Sequence, residues 1–183
     1  TATLNAISVI AQYQDDHSTA LSLAEESQHI CQSLGSDGEL GLAGALSAFG
    51  VMEYRMHGDT AHAQACLERA VAIYQERGDR HGQAQALLWL GNMEYPRREY
   101  EQWRSFLEDS LAIFRGLDDA FGLGWVYRDM AYLLFNLGDF DQARKLYEQS
   151  LAIYRHLRYQ YGVSSDLREL STLCRIQGDY DQA

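Results

Sequence analysis

Apolar positions in this chain recur at helical spacing, and the helices they mark recur at a fixed interval. Leu107, Leu111 and Phe114 fall on one face of a helix, as do Leu87, Leu90 and Gly91. The stretch "CLERAVAIYQERGD" (66–79) is followed 40 residues later by "FLEDSLAIFRGLDD" (106–119), and 40 later again by "LYEQSLAIYRHLRY" (146–159). A looser set alternates with these: "GLAGALSAFGVMEY" (41–54), "GQAQALLWLGNMEY" (82–95), "GLGWVYRDMAYLLF" (122–135) and "GVSSDLRELSTLCR" (162–175), at offsets of 41, 40 and 40. Each unit is therefore predicted to be a pair of helices. One such hairpin cannot bury its apolar face alone. Stacked copies bury it against each other, so every copy must present the same face at the same place.

The turns keep the same beat. Gly58-Asp59, Gly138-Asp139 and Gly178-Asp179 lie 80 and 40 residues apart, and Arg98-Glu99 stands where a fourth member belongs. There Pro96, the single proline, is expected to end the helix instead. Gly supplies the backbone freedom to leave the first helix, and the Asp after it is expected to cap the second. Small residues mark close approach: Gly50, Gly91, Ala131 and Ser171 share one place in the first helices, and Ala63, Ala143 and Ala183 share one in the second. Trp103 holds the latter place in the second whole unit and reads as a structural repacking. The predicted organisation is a single array over 1–183. It comprises a divergent partial repeat at 1–37, with its turn at Asp15-Asp16, whole repeats at 38–79, 80–119 and 120–159, and a truncated repeat at 160–183.

These residues resemble the tetratricopeptide repeat. The pattern shows as Leu87/Leu90/Gly91 in one unit, and as Tyr127/Met130/Ala131 with Ala143/Tyr147/Ser150 in the next. Two departures are a period of 40 instead of 34 and the lack of an inter-repeat proline, with Gly82, Gly122 and Gly162 opening the first helices instead. Such longer repeats are similar to those of kinesin light chains, cell-polarity adaptors and the sensor segments of large bacterial regulatory ATPases. The resemblance implies an all-α, right-handed α-solenoid of stacked antiparallel helix hairpins.

Composition narrows the function classes. Of 183 residues, 46% are hydrophobic and 22% charged, which is globular. The net charge is −11, and basic residues occur only as isolated pairs such as Arg97-Arg98 and Arg144-Lys145, which argues against nucleic acid. No apolar run reaches the roughly 20 residues of a membrane span. Cys31, Cys66 and Cys174, odd in number and widely spaced, read as buried free thiols of a reducing, cytoplasmic compartment. Without an initiator Met, the chain reads as a segment of something longer.

Catalytic and cofactor templates find no match. There is no phosphate loop, and Gly122-x-Gly124 continues as Trp125-Val126-Tyr127 without a third glycine. His57 and His62 stand five apart with no third ligand at metal spacing, so no metal and no cofactor is expected. Carboxylate pairs, Asp118-Asp119 and Asp166 with Glu169 among them, are expected at helix starts or on solvent faces, without the pocket that acid–base chemistry needs.

The resemblance implies that the first helices line a concave, partner-binding face. Carried across, its inward positions are Tyr54, Trp89, Asn92, Tyr95, Trp125, Arg128, Tyr132, Asn136, Arg168 and Arg175, with Arg55, Gln85, Asp129, Glu169 and Thr172 beside them. Arg128 and Arg168, 40 apart, are expected to stack as a row able to hold a carboxylate. The resulting expectation is a non-enzymatic module that binds a protein or peptide, sited in a larger bacterial signalling or transcription-regulating protein whose other domains are further partners. The alternative is a self-associating scaffold, docking through Leu167, Leu170, Leu173 and Ile176 on the last helix.

Overall fold

The computed structural model describes residues 35–58 and 61–178, with scattered helical positions between 19 and 33. The reading of 1–37 as a divergent repeat lies largely outside the described residues, and the caps proposed for Asp59 and Asp179, with Ala183 beyond, lie wholly outside them. The chain forms two compact units, residues 1–98 and residues 99–183. The first holds a short 3₁₀ turn at Gly35–Gly38, then α1 (Glu39–His57), α2 (Ala61–Arg77) and α3 (Arg80–Arg97). The second holds α4 (Tyr100–Gly116), α5 (Ala120–Asn136), α6 (Phe140–His156) and α7 (Gln160–Gln177). Within each unit every helix packs on the next, and α1 also meets α3. With turns of two or three residues between them, neighbouring helices must run antiparallel. The fold is all-α, built of stacked helix hairpins.

One device repeats at each hairpin-to-hairpin turn. An aromatic side chain from the end of a second helix lies on the glycine that opens the next first helix. A Cβ on Gly82 would stand 2.5 Å from the Tyr74 ring, and one on Gly162 would stand 2.5 Å from the Tyr154 ring. Phe114 covers Gly122 in the same way. Only glycine admits a ring this close, which is why these three glycines share one place in the repeat. The residue before the turn takes the left-handed region each time: Gly78 at φ 71°, Asp118 at 54° and Arg158 at 56°. Asp79 and Asp119 then cap the first helices, accepting from Gly82 N at 2.9 Å and Gly122 N at 3.0 Å. The cap expected at the other turn is present at Asp139, which accepts from Gln142 N at 3.2 Å.

The end of α3 differs from expectation. Pro96 does not stop the helix but sits inside its last turn. The stop is Arg98, which itself adopts φ 60° and donates its N–H to Glu94 O and Tyr95 O. A proline at 96 removes the N–H that would have bonded Asn92 O. The Tyr54 hydroxyl, from α1, donates to that carbonyl instead, at 3.1 Å. Both departures of this turn from its counterparts are thereby accommodated locally.

The cores follow the small–large register. Ala63, Leu67 and Ala70 of α2 are buried against α1, where a Cβ on Gly50 would meet Ala63 O at 2.8 Å. In the second unit Ala131, Ala143, Tyr147 and Leu173 form a buried cluster, with Leu134, Phe135, Phe140 and Leu170 packed on it. Trp103 is buried and meets Tyr132 edge-on at 5.9 Å, the structural part expected of it. The last helix is less open than its pattern suggested. Of the four residues expected to form its apolar face, Leu173 is fully buried and Leu170 packs inward, leaving Leu167 and Ile176 exposed.

Candidate functional site

The first-helix positions named from sequence divide between the two units. In the first, Tyr54, Trp89, Asn92 and Tyr95 are all half-buried. Tyr54 and Asn92 are brought together by the hydroxyl-to-carbonyl bond that replaces the proline's missing donor, so this pair is structural as well as surface-facing. Trp89 stands between the buried Leu88 and Leu90 and keeps part of its ring in solvent. In the second unit Asn136 turns its amide back along its own helix, donating to Tyr132 O at 2.7 Å. Arg175 reaches Thr172 Oγ1 at 3.4 Å, and Thr172 in turn donates to Arg168 O at 3.0 Å.

Arg128 and Arg168 share a repeat position but not a setting. The Arg168 side chain is 73% exposed and pairs with its neighbour Glu169 at 3.1 Å. The Arg128 side chain is 14% exposed, 3.7 Å from an Asp129 oxygen. Its guanidinium lies over the Trp125 ring, 4.3 Å from the centroid, and 6.0 Å from that of Tyr154. A planar cation on an aromatic face with a carboxylate beside it is a held cation, not a free one. Burial works against the Arg128 charge. Asp129 foremost, then Tyr154, Asp166 and Tyr161, more than offset it, so the proton is held more tightly than in an ordinary arginine.

Asp166 corrects the expectation that the carboxylates lie at helix starts or on solvent faces. It is 0% exposed, inside the second unit. Neither of its oxygens has a hydrogen-bond partner, and the same is true of the buried Tyr154 hydroxyl and the Trp125 indole N–H. Ser150 lies near both Asp166 and Tyr154. Its hydroxyl donates to Gly124 O at 2.9 Å. Burial pushes the Asp166 carboxyl up to about 6, with Ser150 and Arg128 pulling the other way and Asp129 and Glu169 adding to the rise. Burial likewise raises the Tyr154 phenol.

The repeat register carried a signal for this residue. Asp166 occupies the place held by the buried Ala86 and Val126, and Tyr154 the place of the buried Phe114. Tyr74 carries a hydroxyl at that same place, so of the two only Asp166 puts a polar group where both counterparts are apolar. Read as one chain, Asp166 looked like another surface acid; read in register, it is a charge at a core position. Arg128, by the same register, matches the buried Leu88.

Elsewhere His62 Nδ1 stands 2.9 Å from Glu53, and among the described residues no three potential metal ligands come together. No helix among them is long and apolar enough to cross a membrane.

A family model described as "Tetratricopeptide repeat" matches residues 1–76, 82–156 and 124–183. No curated protein matches the chain in sequence. Among solved structures, the fold is similar to BtubC (BKLC) from P. vanneervenii, with 23% identity, a TM-score of 0.78, and 98% of this chain and 74% of that one covered. It is similar to a Rap protein complexed with Competence and Sporulation Factor, with 16% identity, a TM-score of 0.85, and 96% and 48% covered. It is also similar to a Signal Transduction ATPase with Numerous Domains (STAND) protein with a tetratricopeptide repeat sensor from Pyrococcus horikoshii, with 14% identity, a TM-score of 0.73, and 93% and 26% covered. The chain spans about half the length of the Rap protein and about a quarter of the STAND protein. At these identities the likeness is one of fold.

Proposed function

The chain belongs to the tetratricopeptide repeat family, and on that footing we propose that it is a non-enzymatic module that binds a protein or peptide along its first helices. The observation that carries this reading is a contrast between helix types. Second-helix aromatics Tyr74, Trp103, Phe114, Tyr147 and Tyr154 are buried, with Tyr100, Phe106 and Phe140 half-buried, whereas no first-helix aromatic among the described residues is buried, Trp89, Tyr95, Trp125 and Tyr132 each keeping part of the residue in solvent. Large stiff rings left half-open on one helix of each pair are the contact area that a partner uses at low entropic cost. A carboxylate on such a ligand would meet Arg168 and Arg175, both exposed on α7.

The module serves as the sensor or interaction segment of a larger bacterial signalling or transcription-regulating protein. Support comes from the STAND-type fold relative, whose repeats are its sensor, and from the Rap-type relative, held in complex with a factor. The buried free thiols Cys31, Cys66 and Cys174 fit the reducing cytoplasm.

The test is a selection of randomised peptides on the purified protein, followed by titration calorimetry. Trp89→Ala, Trp125→Ala and Tyr132→Ala should each weaken a selected peptide by about 1–2 kcal/mol. Unchanged affinity in all three would place the docking surface elsewhere. The scaffold alternative retains Leu167 and Ile176 as its exposed apolar contacts. A mass that grows with concentration in light scattering, and stops growing in Leu167→Glu, would favour it.

A further inference from the structure

Three polar groups without partners, all buried, gather in the last hairpins: the Asp166 carboxylate, the Tyr154 hydroxyl and the Trp125 indole N–H. Proteins rarely leave such groups unsatisfied, because each costs its full desolvation when folded. One of these would be an irregularity of packing. Three in electrostatic or ring contact with a single arginine are a built arrangement. The repeat equivalents of Asp166 show that packing does not demand a carboxylate there, since Ala86 and Val126 fill the same place without polar side-chain atoms.

The charge of the cluster sets what it would accept. Arg128 lies near both Asp129 and Asp166, and it is drawn to Asp129 and stacked on Trp125 instead of bonding Asp166. Glu169 adds negative potential at Asp166, and its own ion pair is with the exposed Arg168. The sum around Asp166 is therefore negative and short of donors. Tyr154 lies close to Asp166, the Trp125 ring lies under Arg128, and Phe121 meets both rings edge-on at 6.1 and 6.3 Å. Carboxylate oxygens lacking donors next to aromatic faces suit a guanidinium or an ammonium group. The chain as a whole, at −11, draws in the same sign.

We propose that Trp125, Arg128, Asp129, Tyr154 and Asp166 form a subsite for one basic side chain, an arginine or a lysine, of a bound peptide. This rests on the reading of the chain as a peptide-binding module. Arg128 is the internal occupant that gives way: it has a long, flexible stem and is laid on both of these rings. The incoming cation takes the Asp166 oxygens as acceptors and an aromatic face as its wall. Arg128 then turns outward, retaining Asp129 as its partner. The inference reverses, at this one place, the carboxylate preference that an arginine row suggested.

The test uses the Trp125 indole N–H as reporter in two-dimensional NMR of the uniformly ¹⁵N-labelled protein, its signal assigned through Trp125→Phe. The probes are Nα-acetyl-arginine amide, Nα-acetyl-lysine amide and, as an uncharged control, Nα-acetyl-norleucine amide. Saturable shifts with the two cations and none with norleucine are expected, weakened at least about tenfold by Asp166→Asn. Asp166→Val, which copies the residue at 126, supplies a second variant should the first fold poorly. No saturable shift, equal shifts with norleucine, or affinities unchanged in both variants would overturn the proposal. So would a crystal structure grown with the arginine probe in which only water meets the Asp166 oxygens. Peptides selected on the protein that carry no basic residue would leave the binding module standing and sink this subsite alone. Probe binding without any selected peptide would do the reverse.

Discussion

At the scale of single residues, Asp166 makes a claim that stability can check. Its folded-state carboxyl sits near 6, against an ordinary value of 3.8. The folded protein therefore holds this proton more tightly than the unfolded chain does. The stability this contributes is fully present below about 3.8 and is lost as pH rises through about 6, above which a buried charge remains. Asparagine mimics the neutral form at every pH. Asp166→Asn should match the parent near pH 4 and exceed it by roughly 1–2 kcal/mol at pH 7, by urea denaturation at both values. A variant no more stable at pH 7 than its parent would mean that the carboxylate is already satisfied in the fold. This residue was legible in the sequence only through the register, because composition and local pattern treat every exposed-looking acid alike. Arg128 lies on a first helix, and its exposure and partners differ from those of Arg168. Equivalence in a repeat fixes where a backbone lies, and both arginines have a carboxylate next to them, Asp129 or Glu169, but only Arg128 has a ring to lie on, Trp125, where the Arg168 level has Ser165.

At the scale of elements, the helices and most of their ends could be read in advance, since period and turn chemistry repeat together. The glycine–aromatic contact could not, because it pairs residues eight apart across a turn and leaves no mark in either helical pattern. Nor could the end of α3. Pro96 signalled a break, yet the lost donor is answered by Tyr54 from another helix, a contact visible only once α1 and α3 are packed. Two expectations follow from that geometry. Tyr54→Phe leaves the Asn92 carbonyl without its donor and should lower stability by about 1 kcal/mol, as a shift in urea midpoint at constant slope. Arg98 holds φ 60° where the counterparts Gly58, Gly138 and Gly178 hold φ 80°, 83° and 76°. Arg98→Gly removes the Cβ penalty of the left-handed region at some cost in chain entropy, and should raise stability by about 0.5–1 kcal/mol. A loss of stability in Arg98→Gly would mean that the arginine side chain contributes more than its backbone costs.

At the scale of the whole molecule, charge makes the last distinction, between the two kinds of ligand that the first helices could hold. Local groups disagree in sign: Arg168 and Arg175 stand exposed on α7, while Asp129 and Asp166 outnumber Arg128 one hairpin turn away. The long-range field does not disagree, because 26 acidic side chains face 15 basic ones. Diffusional encounter responds to that field, and salt removes it beyond a Debye length of about 10 Å at 0.1 M. A basic peptide approaches with the field, so its association rate should fall severalfold as NaCl rises from about 50 mM to about 500 mM. A peptide that docks through its carboxylates approaches against the field and should associate faster with added salt. Stopped-flow tryptophan fluorescence on one selected peptide of each charge reads the sign directly. A rate for the basic peptide that rises with salt, or does not move, would mean that the cluster around Asp166 plays no part in drawing the ligand in, and that the arginines of α7 set the polarity of binding.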